Sequence, residues 1–231
     1  MHIDRDGLPF IAIASAPAVV AAATRRRTLA LVLLALPAGI TAFFRDPDRA
    51  PDAGGEVDAD LVLSPADGKV MHVGVPQEGV APDGDWQQVA IFLSVADVHI
   101  NRSPYGGRVT EVTYRPGRFL AAFKAESAHQ NERSEITVER EVRGEVRRIV
   151  YRQIVGMLAR RVVTRVHPGD EVATGARIGL MKFGSRMDVF VPPEVALAVQ
   201  VGDRVRAGET VIGRWPSTPG APAIAGGRGA A

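Results

Sequence analysis

The sequence predicts a mainly β protein: a barrel- or sandwich-hybrid-like domain with a duplicated motif, a short helical insertion and an N-terminal apolar helical anchor. Three observations carry that expectation. A Gly-Asp-x-Val-x-x-Gly motif occurs twice at one spacing, in residues 166–179 and 199–213, and in both copies apolar β-branched residues alternate with polar ones. Each copy therefore reads as short strands joined by tight glycine turns. Between residues 61 and 166 the chain shows further alternating or continuous apolar runs bounded by turn residues, whereas the first 44 residues hold two apolar runs, 8–23 and 28–44, divided by Arg25, Arg26 and Arg27.

Each N-terminal run is close to the ~17-residue lower limit for a helix that crosses a bilayer. The acidic Asp4 and Asp6 and the presence of a second run argue against a cleaved signal peptide. Residues 1–45 are expected to anchor the protein in or on a membrane and to take no part in chemistry; a buried helical hairpin is the alternative, disfavoured because so little of either run is polar. Arginines flank both ends of the second run, so the positive-inside rule selects no topology. Residues 46–58, rich in Pro, Gly and Asp, read as a linker, residues 59–215 as the folded domain, and residues 216–231 as a disordered tail. Within the domain, residues 61–70 read as strand, turn and strand, with Asp67-Gly68 supplying the turn. Residues 89–94 form a continuous apolar run suited to a buried strand, residues 108–114, 136–141, 146–154 and 161–166 continue the pattern, and residues 119–128 are the helical interruption.

With 231 residues, 46% hydrophobic and 23% charged, the chain has enough apolar material for one core plus an appendage. The absence of cysteine excludes disulfides, thiolate catalysis and cysteine-ligated zinc, and no metal site is expected. A net charge of +2 with the signs interspersed argues against nucleic-acid binding.

Between the two copies of the repeat lies Leu180-Met181-Lys182-Phe183-Gly184-Ser185-Arg186-Met187, which supports two chemistries. In one, the repeats resemble biotinyl or lipoyl carrier domains, whose hairpin tip bears a modifiable lysine beside a methionine; Met181-Lys182 would take that place. In the other, Gly184-Ser185 is a self-cleaving bond. Glycine leaves its carbonyl open, so a Ser185 hydroxyl deprotonated by a nearby base could attack it in an N-to-O acyl shift. Elimination and hydrolysis would then leave a pyruvoyl group at position 185, able to form a Schiff base with a substrate amine and to act as an electron sink. A third reading, a non-catalytic membrane-tethered barrel adaptor, accounts for the anchor and the repeat alone.

The motifs Phe43-Phe44-Arg45-Asp46-Pro47, Ser64-Pro65-Ala66-Asp67-Gly68-Lys69-Val70, Asp97-Val98-His99-Ile100-Asn101-Arg102-Ser103-Pro104, Asn131-Glu132-Arg133 and Lys182-Phe183-Gly184-Ser185 occur in that order. In this the chain resembles the short bacterial and archaeal form of phosphatidylserine decarboxylase proenzymes. The resemblance implies cleavage between Gly184 and Ser185 and a covalent pyruvoyl cofactor made from Ser185. It also implies two chains that stay associated, and conversion of phosphatidylserine to phosphatidylethanolamine and CO2 at the cell membrane, with the catalytic domain on the cytoplasmic side. Longer members mature through an Asp-His-Ser relay. Its aspartate matches Asp67 by the Ser-Pro-x-Asp-Gly setting; of the two histidines they carry before a proline, His99 is retained and the second position is Arg102. An imidazole of ordinary pKa near 6.5 suits the proton transfers required. His2, His72, His129 and His167 lack such a context and read as structural. Arg102 and Arg186 are the cations close in sequence to the site that could hold a lipid phosphate, with Arg133 and Lys182 behind them, although Glu132-Arg133 reads equally as an internal ion pair.

Overall fold

The computed structural model describes residues 2–49, 57–157, 161–182 and 184–217; Phe183, residues 50–56 of the expected linker and residues 218–231 of the expected tail lie outside the described residues. Strands β1 (His2–Ile3) and β2 (Arg45–Asp46) pair and bracket three helices, α1 (Leu8–Ala23), α2 (Arg27–Leu33) and α3 (Ala35–Phe43). Small side chains, Ala14, Ala18 and Ala21, form the buried face of α1, while Ile13, Val19, Val20, Leu31, Val32 and Leu36 are exposed. The segment Arg5–Ala23 is long and apolar enough to cross a membrane.

The remainder is strands: β3 (Leu61–Leu63), β4 (Gly68–Gly74), β5 (Gln87–Leu93), β6 (Ile100–Arg102), β7 (Gly107–Arg115), then one helical turn α4 (Ser127–Gln130), β8 (Arg133–Val142), β9 (Glu145–Val155), β10 (Val162–Thr164), β11 (Glu171–Val172), β12 (Arg177–Met181), β13 (Ser185–Val191), β14 (Ala196–Leu197), β15 (Arg204–Val205) and β16 (Val211–Arg214). Eight of them form a curled antiparallel half-barrel in the order β11-β7-β8-β9-β13-β5-β4-β15, flanked by two three-stranded sheets, β10-β12-β6 and β14-β16-β3. Side chains alternate across each strand. Met187, Val189 and Val191 of β13 thus enter the main core with Val89, Ile91 and Leu93 of β5, whereas Phe190 faces outward and is covered by Val80 and Ala128.

These sheets are pseudo-symmetric about the β9–β13 pair. β6 to β12 form one contiguous unit, and β3 to β5 with β13 to β16 form a second unit of the same layout, into which the first is inserted. Ser64-Pro65-Ala66-Asp67-Gly68-Lys69-Val70 is matched by Ser103-Pro104-Tyr105-Gly106-Gly107-Arg108-Val109, and each of these turns docks on one copy of the glycine repeat. Gly208 N–H donates to Ser64 carbonyl and Gly175 N–H to Ser103 carbonyl, both at 2.8 Å, and each serine hydroxyl closes its own turn at 2.7 Å, on Ala66 and Tyr105 respectively. In the contiguous unit, β8 and β9 are joined by the two-residue turn Arg143-Gly144. In the other unit the corresponding hairpin, β5 to β13, is opened between Leu93 and Ser185 to admit the insertion. His99, at the end of one connecting segment, meets Gly184 at that opening.

Three sequence expectations change in detail. The helix expected over residues 119–128 is replaced by turns, with α4 reduced to Ser127–Gln130. Local side-chain bonds compete with helical ones there: Asn131 holds Leu120 by its N–H and carbonyl at 2.9 and 2.8 Å, and the Ser127 hydroxyl bonds the carbonyls of Ala122 and Lys124. The carrier reading needed a hairpin tip at Lys182, but β12 pairs with β10 and β6 while β13 pairs with β5 and β9, so the segment is a crossover between sheets. Within the expected linker, Asp46 is buried in contact with Arg177 and Arg49 is bound to Asp67.

Candidate active site

Ser185 opens β13 with its side chain on the same face as Met187, toward the core. It is fully buried, and its hydroxyl has no hydrogen-bond partner among the described residues. The preceding Gly184 has φ +70°, in the left-handed region where a side chain is costly, and its N–H donates to His99 Nε2 at 3.2 Å. On the other side of the imidazole, Nδ1–H donates to the Asp97 carbonyl at 2.9 Å, which fixes the neutral tautomer with its lone pair directed at the junction. Burial pushes the His99 imidazole down to about 4, outweighing the Asp97 carbonyl that favours the charged form. It is therefore a neutral base at pH 7.

Two further contacts define the centre. The Phe43 ring lies against the His99 ring at a centroid distance of 4.4 Å, and Phe43 and Phe44 pack with Val98, Ile100 and Leu180. The apolar N-terminal segment thus reaches the imidazole, which an anchor remote from the chemistry would not do. Gly156, at the end of β9, lies against the Gly184 carbonyl so closely that a Cβ there would meet the oxygen at 2.0 Å. Nothing in the sequence around Gly156 distinguishes it from an ordinary turn glycine.

Asp67, expected beside His99, has its carboxylate occupied elsewhere. Both oxygens bond the Arg49 guanidinium, and one also accepts from Ala207 N–H at 2.8 Å. The Asp97 carbonyl holds the imidazole instead. Among the arginines, Arg102 is buried and donates to the Gly175 and Pro47 carbonyls, each at 2.9 Å. Arg186 points away from Ser185 and is buried in an ion pair with Asp188 at 2.6 Å, with Gln77 at 2.5 Å. Arg133 binds the carbonyls of His129 and Asn131 and lines a polar groove of about 440 Å³ on the outer face of the sheet. Lys182 lies over the Phe10 ring at 4.9 Å. Beside α3, an apolar groove of about 460 Å³ is lined by Leu36, Gly39, Ile40, Phe43 and Val95, with Arg45 at its side.

A family model described as phosphatidylserine decarboxylase matches residues 36–213. The chain belongs to the phosphatidylserine decarboxylase family. Among its relatives, a protein of Desulfotalea psychrophila is 37% identical over 92% of this chain and 96% of its own length. One of Symbiobacterium thermophilum is 44% identical over 93% and 96%, and one of Thermobifida fusca is 47% identical over 82% and 79%. Each is named phosphatidylserine decarboxylase proenzyme. The residues gathered at the crossover, Phe43, Asp97, His99, Gly156, Gly184 and Ser185, all fall inside the part matched to the decarboxylase family.

Proposed function

We propose that this member of the family cleaves itself between Gly184 and Ser185 and then decarboxylates phosphatidylserine to phosphatidylethanolamine. The observation that carries the reading is the buried Ser185 hydroxyl without a partner, one residue from a glycine whose amide is already bound to a neutral histidine. In the first step His99 Nε2 exchanges the Gly184 N–H for the Ser185 hydroxyl proton. The hydroxyl oxygen bonds the Gly184 carbonyl carbon, the Gly184–Ser185 C–N bond breaks, and the proton passes to the freed amine. Loss of the Ser185 α-proton then expels the Gly184 carboxylate, and water displaces ammonia from the resulting dehydroalanine, leaving a pyruvoyl group. That group supplies the electron sink for a substrate amine. His99 remains beside it to return a proton to the substrate α-carbon after CO2 departs.

Asp67 takes a positioning part in this reading: by holding Arg49 it fixes residues 45–49, and with them Phe43, against the barrel. Arg102 and Arg186 belong to the framework by the same reasoning, and Arg133 is the one of the three that faces an open groove. The apolar groove beside α3 suits an acyl chain, and the exposed apolar faces of α1 to α3 suit a lipid surface. Both features support a reading in which the protein works at the cell membrane and reaches its substrate from the head-group layer.

Mass spectrometry of the denatured protein tests the reading directly: two chains, 1–184 and 185–231, are expected, the smaller with a reducible carbonyl at its first residue. A single intact chain overturns it. The histidine adds a pH test. An unperturbed imidazole would lose its base function below about pH 6.5, whereas His99, neutral down to about 4, is expected to support maturation at a constant rate until the pH approaches that value. Appearance of the two chains on gels over this range is the measurement, and a midpoint near 6.5 contradicts the assignment. The same depression lowers stability as the pH falls from 6.5 toward 4, because the unfolded chain binds a proton there that the folded one excludes.

A further inference from the structure

The end of the barrel that holds the crossover is also its apolar end. Phe119, Phe123 and Met157 stand exposed there, Phe123 at 64% and Met157 at 64%, with Phe123 supported edge-on by Phe92 at 6.2 Å. They are close to the junction: a Cβ added at Gly156 would meet the Ala122 Cβ at 3.3 Å and the Gly184 carbonyl oxygen at 2.0 Å. Cations surround them. Residues 115–126 contain Arg115, Arg118 and Lys124 against a single acid, Glu126. The strand register sets Lys69, Arg133 and Arg115 in one row across the same end of the sheet. Arg115 and Arg133 lie directly opposite each other, a like-charge pair that is destabilising in itself and is offset in part by Glu135 beside Arg133. Exposed aromatic residues ringed by cations fit the interface of an anionic bilayer.

We propose that the barrel itself docks on the membrane here, the 119–123 loop and Met157 entering the interface of an anionic bilayer as a second contact beside the helices. The inference rests on the lipid-substrate reading, since phosphatidylserine is itself anionic. Two apolar contacts on either side of the Gly184–Ser185 crossover let a head group pass to the site without its chains leaving lipid.

The test uses the full chain carrying Phe123→Trp, mixed with phosphatidylcholine–phosphatidylserine vesicles whose acyl chains are brominated. Extra quenched, blue-shifted emission relative to wild type is expected. Val146→Trp, an exposed position beside the far-end turn of β8 and β9, should show none. Arg118→Gln and Lys124→Gln should each weaken binding to anionic vesicles about fivefold and leave neutral vesicles unaffected. Phe119→Ser with Phe123→Ser should raise KM on vesicles roughly tenfold while leaving kcat on detergent-dispersed substrate unchanged. No quenching at Phe123→Trp, or equal quenching at Val146→Trp, overturns the proposal; a concentration-dependent rise in mass in its place would assign the patch to a second copy of the chain. Quenching does not depend on turnover, so an inactive chain that is still quenched would sink the decarboxylase reading and leave this one standing.

Discussion

Ser185→Ala is expected to leave one chain of 231 residues with no decarboxylase activity, and to leave it as stable as the uncleaved wild-type protein or slightly more so. The first half follows from the chemistry: alanine offers no nucleophile to the Gly184 carbonyl and no oxygen for the elimination. The second half follows from the structure, and separates a chemical from a structural failure. Removing a hydroxyl normally costs about 1 kcal/mol through the bond it made, but among the described residues the Ser185 hydroxyl makes none, and its residue is buried between Leu93 and Val155 of the neighbouring strands. Denaturing gels and a thermal melt of the variant check both halves. Cleavage at this bond in Ser185→Ala would sink the mechanism; a large loss of stability would mean that the hydroxyl has a partner the structure does not show.

Gly156→Ala is expected to slow maturation by at least about 100-fold, because a displacement of the order of 1 Å at a reacting atom has that effect. The backbone of Gly156 lies outside the left-handed region, so alanine is acceptable there conformationally. The obstacle is the new methyl, which would sit 2.0 Å from the Gly184 oxygen and 3.0 Å from its carbon. A backbone carbonyl does not swing away as a side chain does, so the scissile bond itself must move. Ala122, the next nearest neighbour at 3.3 Å, gives a control: Ala122→Gly should not restore cleavage to Gly156→Ala. Time courses of chain appearance decide it, and a wild-type rate in the single variant would show that the Gly184 carbonyl is not held where the structure has it.

How much of this was legible beforehand differs from residue to residue. The strands and the repeated glycine turns were legible because alternation and turn chemistry are local properties. The second Ser-Pro-x-x-Gly turn was present in the sequence too, but Tyr105 and Gly106 replace Ala66 and Asp67 and hide the match. Only the equivalent bonds from Gly175 and Gly208 reveal it. His99 and Ser185 were found through their motifs, but the bond from Gly184 to His99 spans 85 residues and depends on the insertion of one unit into the other. The Ser-Pro-x-Asp-Gly setting points Asp67 toward the imidazole, and its actual partner, Arg49, is hidden because it lies in a stretch that reads as a linker. Phe43 was read as anchor because hydropathy distinguishes apolar from polar and says nothing of which apolar ring will lie on an imidazole.

The neighbouring placement of β3 and β16, with Leu61 opposite Arg214 and Trp215 N–H on the Asp60 carbonyl at 2.8 Å, brings the first and last strands of the barrel side by side. A permuted polypeptide that began at Ser185, ran through residue 217, looped to residue 57 and finished at Gly184 could keep every one of these neighbours. It would also be sterile, since its opening serine would have no acyl group ahead of it and so no route to a keto acid. The natural order instead puts the Gly184–Ser185 bond in the connection between the two units, with residues on both sides of it. His99 reaches Gly184 only when β6, β12 and β13 are all in place, so on the proposed mechanism a misassembled molecule would stay unprocessed. On that mechanism, then, maturation would report that the strands around the crossover had assembled.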